Sequence, residues 1–129
     1  MAKTILKKTN RKVAVKIAGA GADEDIVLAT DCKLTDETAT SPTVSILSMT
    51  WTGDTDATAT ITRGTTIIAV LQGNAASTID FAGLEYTDTI ASAEDINVVT
   101  AGEMSVYLLL RKETGYTVAD PQQYTELPY

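Results

Sequence analysis

Hydrophobic and polar residues alternate along much of the chain, which is the pattern of half-buried β-strands. In the segment 12–17, valine or isoleucine occupies every odd position, and lysine or alanine occupies every even position. Alternate side chains of a strand lie on opposite faces of its sheet. The segment is therefore predicted to form a strand with one apolar face turned towards a core.

Similar short segments recur along the chain, separated by turns that contain glycine, asparagine or aspartate. Gly64 is expected to join two of them in a hairpin, and Gly102 is expected to join another two. The polar segment 31–42, which ends at Pro42, predicts a loop. Besides 12–17, strands are predicted at 26–30, 43–52, 56–63, 65–71, 77–81, 97–101 and 104–111.

These patterns predict an all-β protein, because no segment keeps the 3.6-residue period of a helix over a helix's usual length. Roughly six to eight short strands at regular spacing are typical of a β-sandwich or β-barrel. The length of 129 residues suits a single domain. We expect that domain at 13–116, with an extended basic arm at 1–12 and an extended C-terminal tail at 117–129.

Charge is divided unevenly along the chain, whose net charge is −7. Residues 1–22 hold six of the ten basic residues and none of the 17 acidic residues. Such a basic segment can pair with the acidic body of a neighbouring copy, or contact nucleic acid through phosphates. It can also line an exposed strand and discourage aggregation. Because the rest of the chain would repel a polyanion, a nucleic-acid partner is the less favoured of these.

The residue types present exclude several classes of enzyme. The chain has no histidine and one cysteine, so Ser-His and Cys-His nucleophile pairs and nearly all zinc sites are excluded. Asp54 and Asp56 lack the glycine and distal glutamate of a calcium loop, so they are expected to be solvated turn acids. Cys32 is expected to be inert and Trp51 to anchor the core. We expect no catalytic residue, no metal and no cofactor.

The two ends of the chain are the strongest candidates for protein contacts. The N-terminal segment is basic, and the C-terminal tail carries tyrosines, which interfaces favour. The longest apolar runs are about five residues, far short of the roughly 20 of a transmembrane helix, and no secretory signal is evident. The candidate interface residues are Lys3, Lys7, Lys8, Arg11, Lys12, Arg63, Tyr116, Tyr124 and Tyr129.

Several segments resemble small virion proteins of tailed bacteriophages, especially those of marine and cyanobacterial phages. They are Trp51-Thr52-Gly53, the runs 59–64 and 67–73, Asp80-Phe81-Ala82-Gly83, and the run 106–116. The resemblance implies a β-rich protein without a cofactor that coats or cements a capsid or builds head–tail and tail parts. It assigns no functional residue, because the group has no fixed site motif.

The expected function is therefore that of a non-enzymatic virion structural protein, most simply a capsid decoration or cement protein. Its expected partners are the major capsid protein or other virion proteins, and a homo-oligomer, a trimer or a dimer, is expected. Its expected location is the virion, after assembly in the host cytoplasm. The alternatives are a phage neck or tail subunit, and a β module that binds carbohydrate or another surface.

Overall fold

A computed structural model describes residues 2–74, 77–81 and 93–118, and these form a sandwich of two antiparallel sheets. The described part of the chain contains nine strands and one short helix, α1 (Leu28–Asp31). The strands are β1 (Ala2–Lys8), β2 (Lys12–Ala20), β3 (Asp23–Ile26), β4 (Glu37–Gly53), β5 (Thr58–Arg63), β6 (Thr66–Gln72), β7 (Ser77–Asp80), β8 (Ile96–Ala101) and β9 (Glu103–Val118).

The five-stranded sheet has the order β1-β2-β9-β4-β7, and the four-stranded sheet has the order β3-β8-β5-β6. Alternating apolar residues of both sheets meet in one core, as the sequence pattern predicts. Fully buried positions on β2, for example, are Val13, Val15 and Ile17. The all-β, sandwich-like fold is thus confirmed, and within the described residues neither sheet closes into a barrel.

The predicted loop at 31–42 is only partly a loop, because β4 already begins at Glu37. Pro42 suggests a break, but the strand absorbs it as an irregularity in its pairing with β9, between Ala39 and Thr43. Gly115 lies opposite, where an added Cβ would come within 2.5 Å of the Pro42 Cα. A proline is tolerated within a strand at such a bulge, so the chain pattern alone misplaces the start of β4.

The strand predicted at 26–30 is also corrected. β3 ends at Ile26, and α1 follows at once. Asp31 accepts a hydrogen bond from the Val27 N–H at 2.8 Å, and Asp95 accepts one from the Leu28 N–H at 3.0 Å. Short apolar runs do not distinguish a strand from a helical turn, and here the two carboxylates stabilise the turn.

Of the two predicted hairpins, one is confirmed and one is wrong. β5 and β6 pair as an antiparallel hairpin across Gly64. β8 and β9, by contrast, lie in different sheets, so the chain crosses from one sheet to the other at Gly102. Gly102 has φ +79°, a conformation that favours glycine. Both strands alternate in the same way, and alternation does not reveal whether consecutive strands pair or face each other across a core.

The basic segment 1–12, expected as an extended arm, is part of the domain where the structure describes it. Residues 2–8 form the edge strand β1, which pairs with β2 in a register that sets Ile5 beside Val15. This corrects the expectation of a separate N-terminal arm. Of the tail predicted at 117–129, the first two residues complete β9, and residues 119–129 lie outside the described residues.

Candidate functional site

Three lysines lie on the outer face of the five-stranded sheet. Because the odd positions of β2 face the core, Lys12 and Lys16 face outward. The register sets Lys16 beside Tyr107 of β9 and Lys7 of β1 beside Ala14. The alternation that predicts the strand therefore also places its lysines together on one surface.

Between β1, β2 and β9 this face forms an open groove of about 300 Å³, which we call the basic groove. Thr9 holds the turn at one end, since its hydroxyl oxygen accepts hydrogen bonds from the N–H groups of Arg11 and Lys12. Two lysines flank an apolar floor. The residues that line the groove are Lys7, Thr9, Lys12, Ala14 and Leu109.

The cations around the groove differ in their partners. Lys12 is aligned with Arg111 across the β2–β9 pair. Arg111 is bound by Glu113, with 2.7 Å between Nε and Oε2. A hydrogen bond from the Ser45 hydroxyl and the contact with Arg111 lower the pKa of Glu113. Among the described residues Lys7 and Lys12 form no ion pair, so their charges face solvent and are available to an acidic ligand.

Lys3 and Lys8, also predicted as interface residues, occupy the other face of β1. The Lys3 ammonium group donates hydrogen bonds to the Asp31 carboxylate at 2.7 Å and to the Asp25 carbonyl at 2.8 Å. Lys3 thus ties the edge of one sheet to the edge of the other. Lys8 is half-buried beside the core residue Val13. Arg11, by contrast, is exposed in the β1–β2 turn.

Arg63 is not on the surface, where a contact with a partner was expected. It is fully buried, because it shares the inward face of β5 with Ala59 and Ile61. Its guanidinium group donates hydrogen bonds to the Val44 carbonyl at 2.9 Å and to the Glu94 carbonyl at 3.1 Å. Arg63 therefore satisfies backbone groups inside the sandwich and is not accessible to a partner in this structure.

A buried ion pair, which the sequence analysis missed, lies between β4 and β9. Glu37 and Lys112 are 2.5 Å apart, and their side chains are 1% and 2% exposed. Lys112 also donates a hydrogen bond to the Thr9 carbonyl at 3.1 Å, and Glu37 accepts one from the Leu34 N–H at 2.9 Å. One signal was available: Lys112 continues the inward alternation of Leu108 and Leu110.

Tyr116 and Cys32 complete this polar cluster. The Tyr116 hydroxyl donates a hydrogen bond to the Leu28 carbonyl at 2.7 Å, and the Lys112 ammonium lies 4.5 Å from its ring centroid. Burial raises the pKa of Tyr116, and it raises the pKa of Cys32 to about 11 although the contact with Tyr116 opposes the shift. Cys32 is therefore a protonated thiol at neutral pH and a poor nucleophile.

Tyr116 thus stabilises the domain from within, and it is only partly exposed. Tyr124 and Tyr129, the other two candidate tyrosines, lie outside the described residues. Trp51 is buried as predicted, and its indole N–H donates a hydrogen bond to the Gln72 carbonyl at 2.9 Å. Of the nine candidate residues, the structure brings Lys7 and Lys12 together in one groove.

Within residues 2–74, 77–81 and 93–118, no three acidic or cysteine side chains are grouped so that they could hold a metal ion. In the same part of the chain, no helix is long and apolar enough to cross a membrane. Comparison with known proteins adds no relative. The chain matches no family model, and no curated protein and no solved structure is detectably similar to it.

Proposed function

We propose that this chain is a non-enzymatic structural protein of a tailed-phage virion, and that it decorates or cements the capsid through protein–protein contacts. The observation that carries the proposal is the basic groove, a cationic surface on a chain of net charge −7. Its partner in this proposal is an acidic surface of the major capsid protein or of another virion protein. The protein would join the particle in the host cytoplasm and remain in the virion.

The chemistry of the groove suits an acidic protein surface. Lys7 and Lys12 supply two ammonium groups, while Ala14 and Leu109 supply an apolar floor between them. A partner segment with a carboxylate beside an apolar side chain would satisfy both features. Complementary charge also speeds association and fixes the orientation of docking. A neck or tail subunit would use the same chemistry, and the resemblance to phage virion proteins includes that alternative.

Co-sedimentation with capsids of the phage that encodes the chain tests this proposal. We expect the wild-type protein to bind at a saturating, fixed stoichiometry. Lys7→Gln/Lys12→Gln, which removes two charges from the groove, is expected to weaken binding by about tenfold. The matched control is Thr38→Glu/Ala101→Glu, which changes the net charge equally at exposed sites that lie outside the groove.

The possible outcomes test capsid decoration separately from docking through the basic groove. Absence of wild-type binding would reject capsid decoration. Equal binding by the groove variant and the wild type would reject the groove as the docking surface while leaving the role intact. Binding that weakens equally in both double variants would show a response to net charge alone, and would also reject the groove.

A carbohydrate-binding role has one observation in its favour. Tyr107 is 36% exposed beside Lys16, whose ammonium lies 5.8 Å from the ring centroid. An exposed aromatic ring is a platform on which a sugar can stack, whereas Trp51 is buried and offers none. Glycan-array binding that disappears in Tyr107→Ala would support this second candidate, and an array without signal would remove it.

A further inference from the structure

The edge strand β6 is open and apolar. It forms one end of the four-stranded sheet, and among the described residues it pairs on one side only, with β5. Ile67 and Val70 are 62% and 54% exposed there, the two most exposed large hydrophobic residues of the described chain. An open, apolar edge strand is a template for pairing with another strand.

The absence of charge extends well beyond β6. No residue between Gly64 and Ile79 is charged. The other edge strand of the same sheet, β3, carries Asp23, Glu24 and Asp25. The edge strands of the five-stranded sheet are charged as well, with three lysines on β1 and Asp80 on β7. Charged side chains are the usual protection of an exposed edge. β6 lacks that protection.

An irregularity in the β5–β6 pairing brings the two apolar residues to the same face. Ile67 pairs with Thr62 and Val70 pairs with Thr60, and the register shifts between these pairs. Thr60 and Thr62 lie on the outer face of β5, since Ile61 between them is buried. Ile67 and Val70 therefore both lie on the outer face of the sheet, with Ile68 and Ala69 between them.

We propose that β6 pairs antiparallel with β6 of a second copy of this chain, joining two four-stranded sheets into one eight-stranded sheet. A two-fold axis between Ile68 and Ala69 would set Ile67 of each copy opposite Val70 of the other. Both apolar pairs would then lie on the outer face. Such an interface is self-complementary, as a two-fold contact must be.

Charge is the reason for choosing a second copy as the partner. Two copies of a chain with net charge −7 repel each other, so they associate most easily where neither carries a charge. The segment 64–79 meets that condition along its whole length, whereas two β3 edges would bring six carboxylates together. A single strand pair buries less area than a standard stable interface, so the dimer is expected to depend on concentration.

Sedimentation velocity of the full chain over a range of concentrations tests the proposal. The wild type is expected to change from monomer to dimer as concentration rises. Ile67→Lys and Val70→Lys each place a charge in the strand pair and are expected to weaken the dimer at least about tenfold. The matched control is Val99→Lys, which adds the same charge to the outer face of the interior strand β8 and should dimerise like the wild type.

A cysteine pair tests the register. In the double variant Ile67→Cys/Val70→Cys, each new thiol would lie opposite its counterpart in the other copy, and mild oxidation should give a covalent dimer. Each single variant sets its thiols about three residues apart along the paired strands, roughly 10 Å, which is too far for a disulfide. The proposal is overturned by a wild type that stays monomeric at every concentration, or by oligomers that both lysine variants leave unchanged. Equal cross-linking of single and double variants overturns the register.

This interface does not depend on the proposed function. A dimer through β6 could form whether or not the basic groove docks on a capsid, because the groove lies on the other sheet. Loss of capsid binding by the groove variant with an intact dimer would separate the two surfaces. A Val70→Lys variant that no longer dimerises but still binds capsids as a monomer would also separate the two surfaces.

Discussion

The edge strands on the two sides of the sandwich are protected to different degrees. On the side of β1 and β3, Lys3 links the two sheets. The polar cluster of Cys32, Glu37, Lys112 and Tyr116 contacts α1 through Tyr116 and the β1–β2 turn through Lys112. On the opposite side, the edge strand β6 is apolar, uncharged and exposed. On the first side, an ion pair and hydrogen bonds within the chain connect the two sheets. On the second side, β6 has no charged residue that would oppose pairing with another strand.

The difference shows that an edge can be protected by internal links or left open for a partner. Internal links require buried polar groups whose partners must all be present, because an unpaired buried charge is strongly destabilising. An open apolar edge carries no such requirement, but it exposes the protein to association. We therefore expect substitutions on the β1 side to change stability, and substitutions on the β6 side to change association.

The largest effect is expected from breaking the buried ion pair. Lys112→Met leaves the Glu37 carboxylate buried without its partner and removes the hydrogen bond to the Thr9 carbonyl. We expect a loss of roughly 3–5 kcal/mol in the free energy of unfolding. Urea titration followed by fluorescence measures it, since Trp51 is the only tryptophan and is buried.

The double variant Glu37→Leu/Lys112→Met is the matched control for that measurement. It removes both charges, so no carboxylate or ammonium is left buried alone, and much of the lost stability should return. If the single and double variants were equally unstable, the penalty would come from packing and the electrostatic account would be contradicted.

A smaller effect is expected from alkaline pH, and it also belongs to the β1 side. Burial raises the pKa of Cys32 from 9.0 to about 11. Between these values the unfolded chain has released a proton that the folded chain retains. The contribution of Cys32 to the free energy of unfolding is therefore fully present below pH 9. It is lost as pH rises towards 11, by at most about 3 kcal/mol. Burial raises the pKa of Tyr116 as well and adds a loss of the same sign.

Urea titrations at several pH values between 8 and 11 would measure this slope. In Cys32→Ala the free energy of unfolding should fall less steeply with pH than in the wild type, whatever its absolute value. A steeper or equal fall in the variant would contradict the assignment to Cys32. Alkylation by iodoacetamide at pH 9 should likewise be much slower in the folded than in the unfolded protein.

The smallest effect is expected from the link between the two sheet edges. Lys3→Ala removes an ion pair whose members are 24% and 18% exposed, together with one hydrogen bond to the Asp25 carbonyl. We expect a loss of about 1 kcal/mol. Lys7→Ala, on the same strand but without an ion pair among the described residues, should change stability by less than about 0.5 kcal/mol. Equal losses in both variants would show that Lys3 has no special role at this edge.

Much of the fold was predictable because strand alternation is a local property. The inward positions of β2, β5 and β9 follow from residue order alone, and so does the hairpin through Gly64. The outward positions of the β2 lysines follow from the same alternation, and so does the place of Lys12 and Ala14 in the basic groove. The buried position of Lys112 follows from it too, once the inward face is extended past Leu110.

The remainder depends on contacts between residues far apart in the chain. The crossing at Gly102 and the partners of Arg63 are set by which sheet each strand joins. Sequence order carries little information on this, since neighbouring strands with the same alternation can pair or face each other. The sequence by itself determined the all-β class, the inward faces of β2 and β9 and the division of charge. Only the tertiary structure decided that Lys3 links the two charged edge strands, and that β6 pairs on one side only among the described residues, because both outcomes depend on which strands meet.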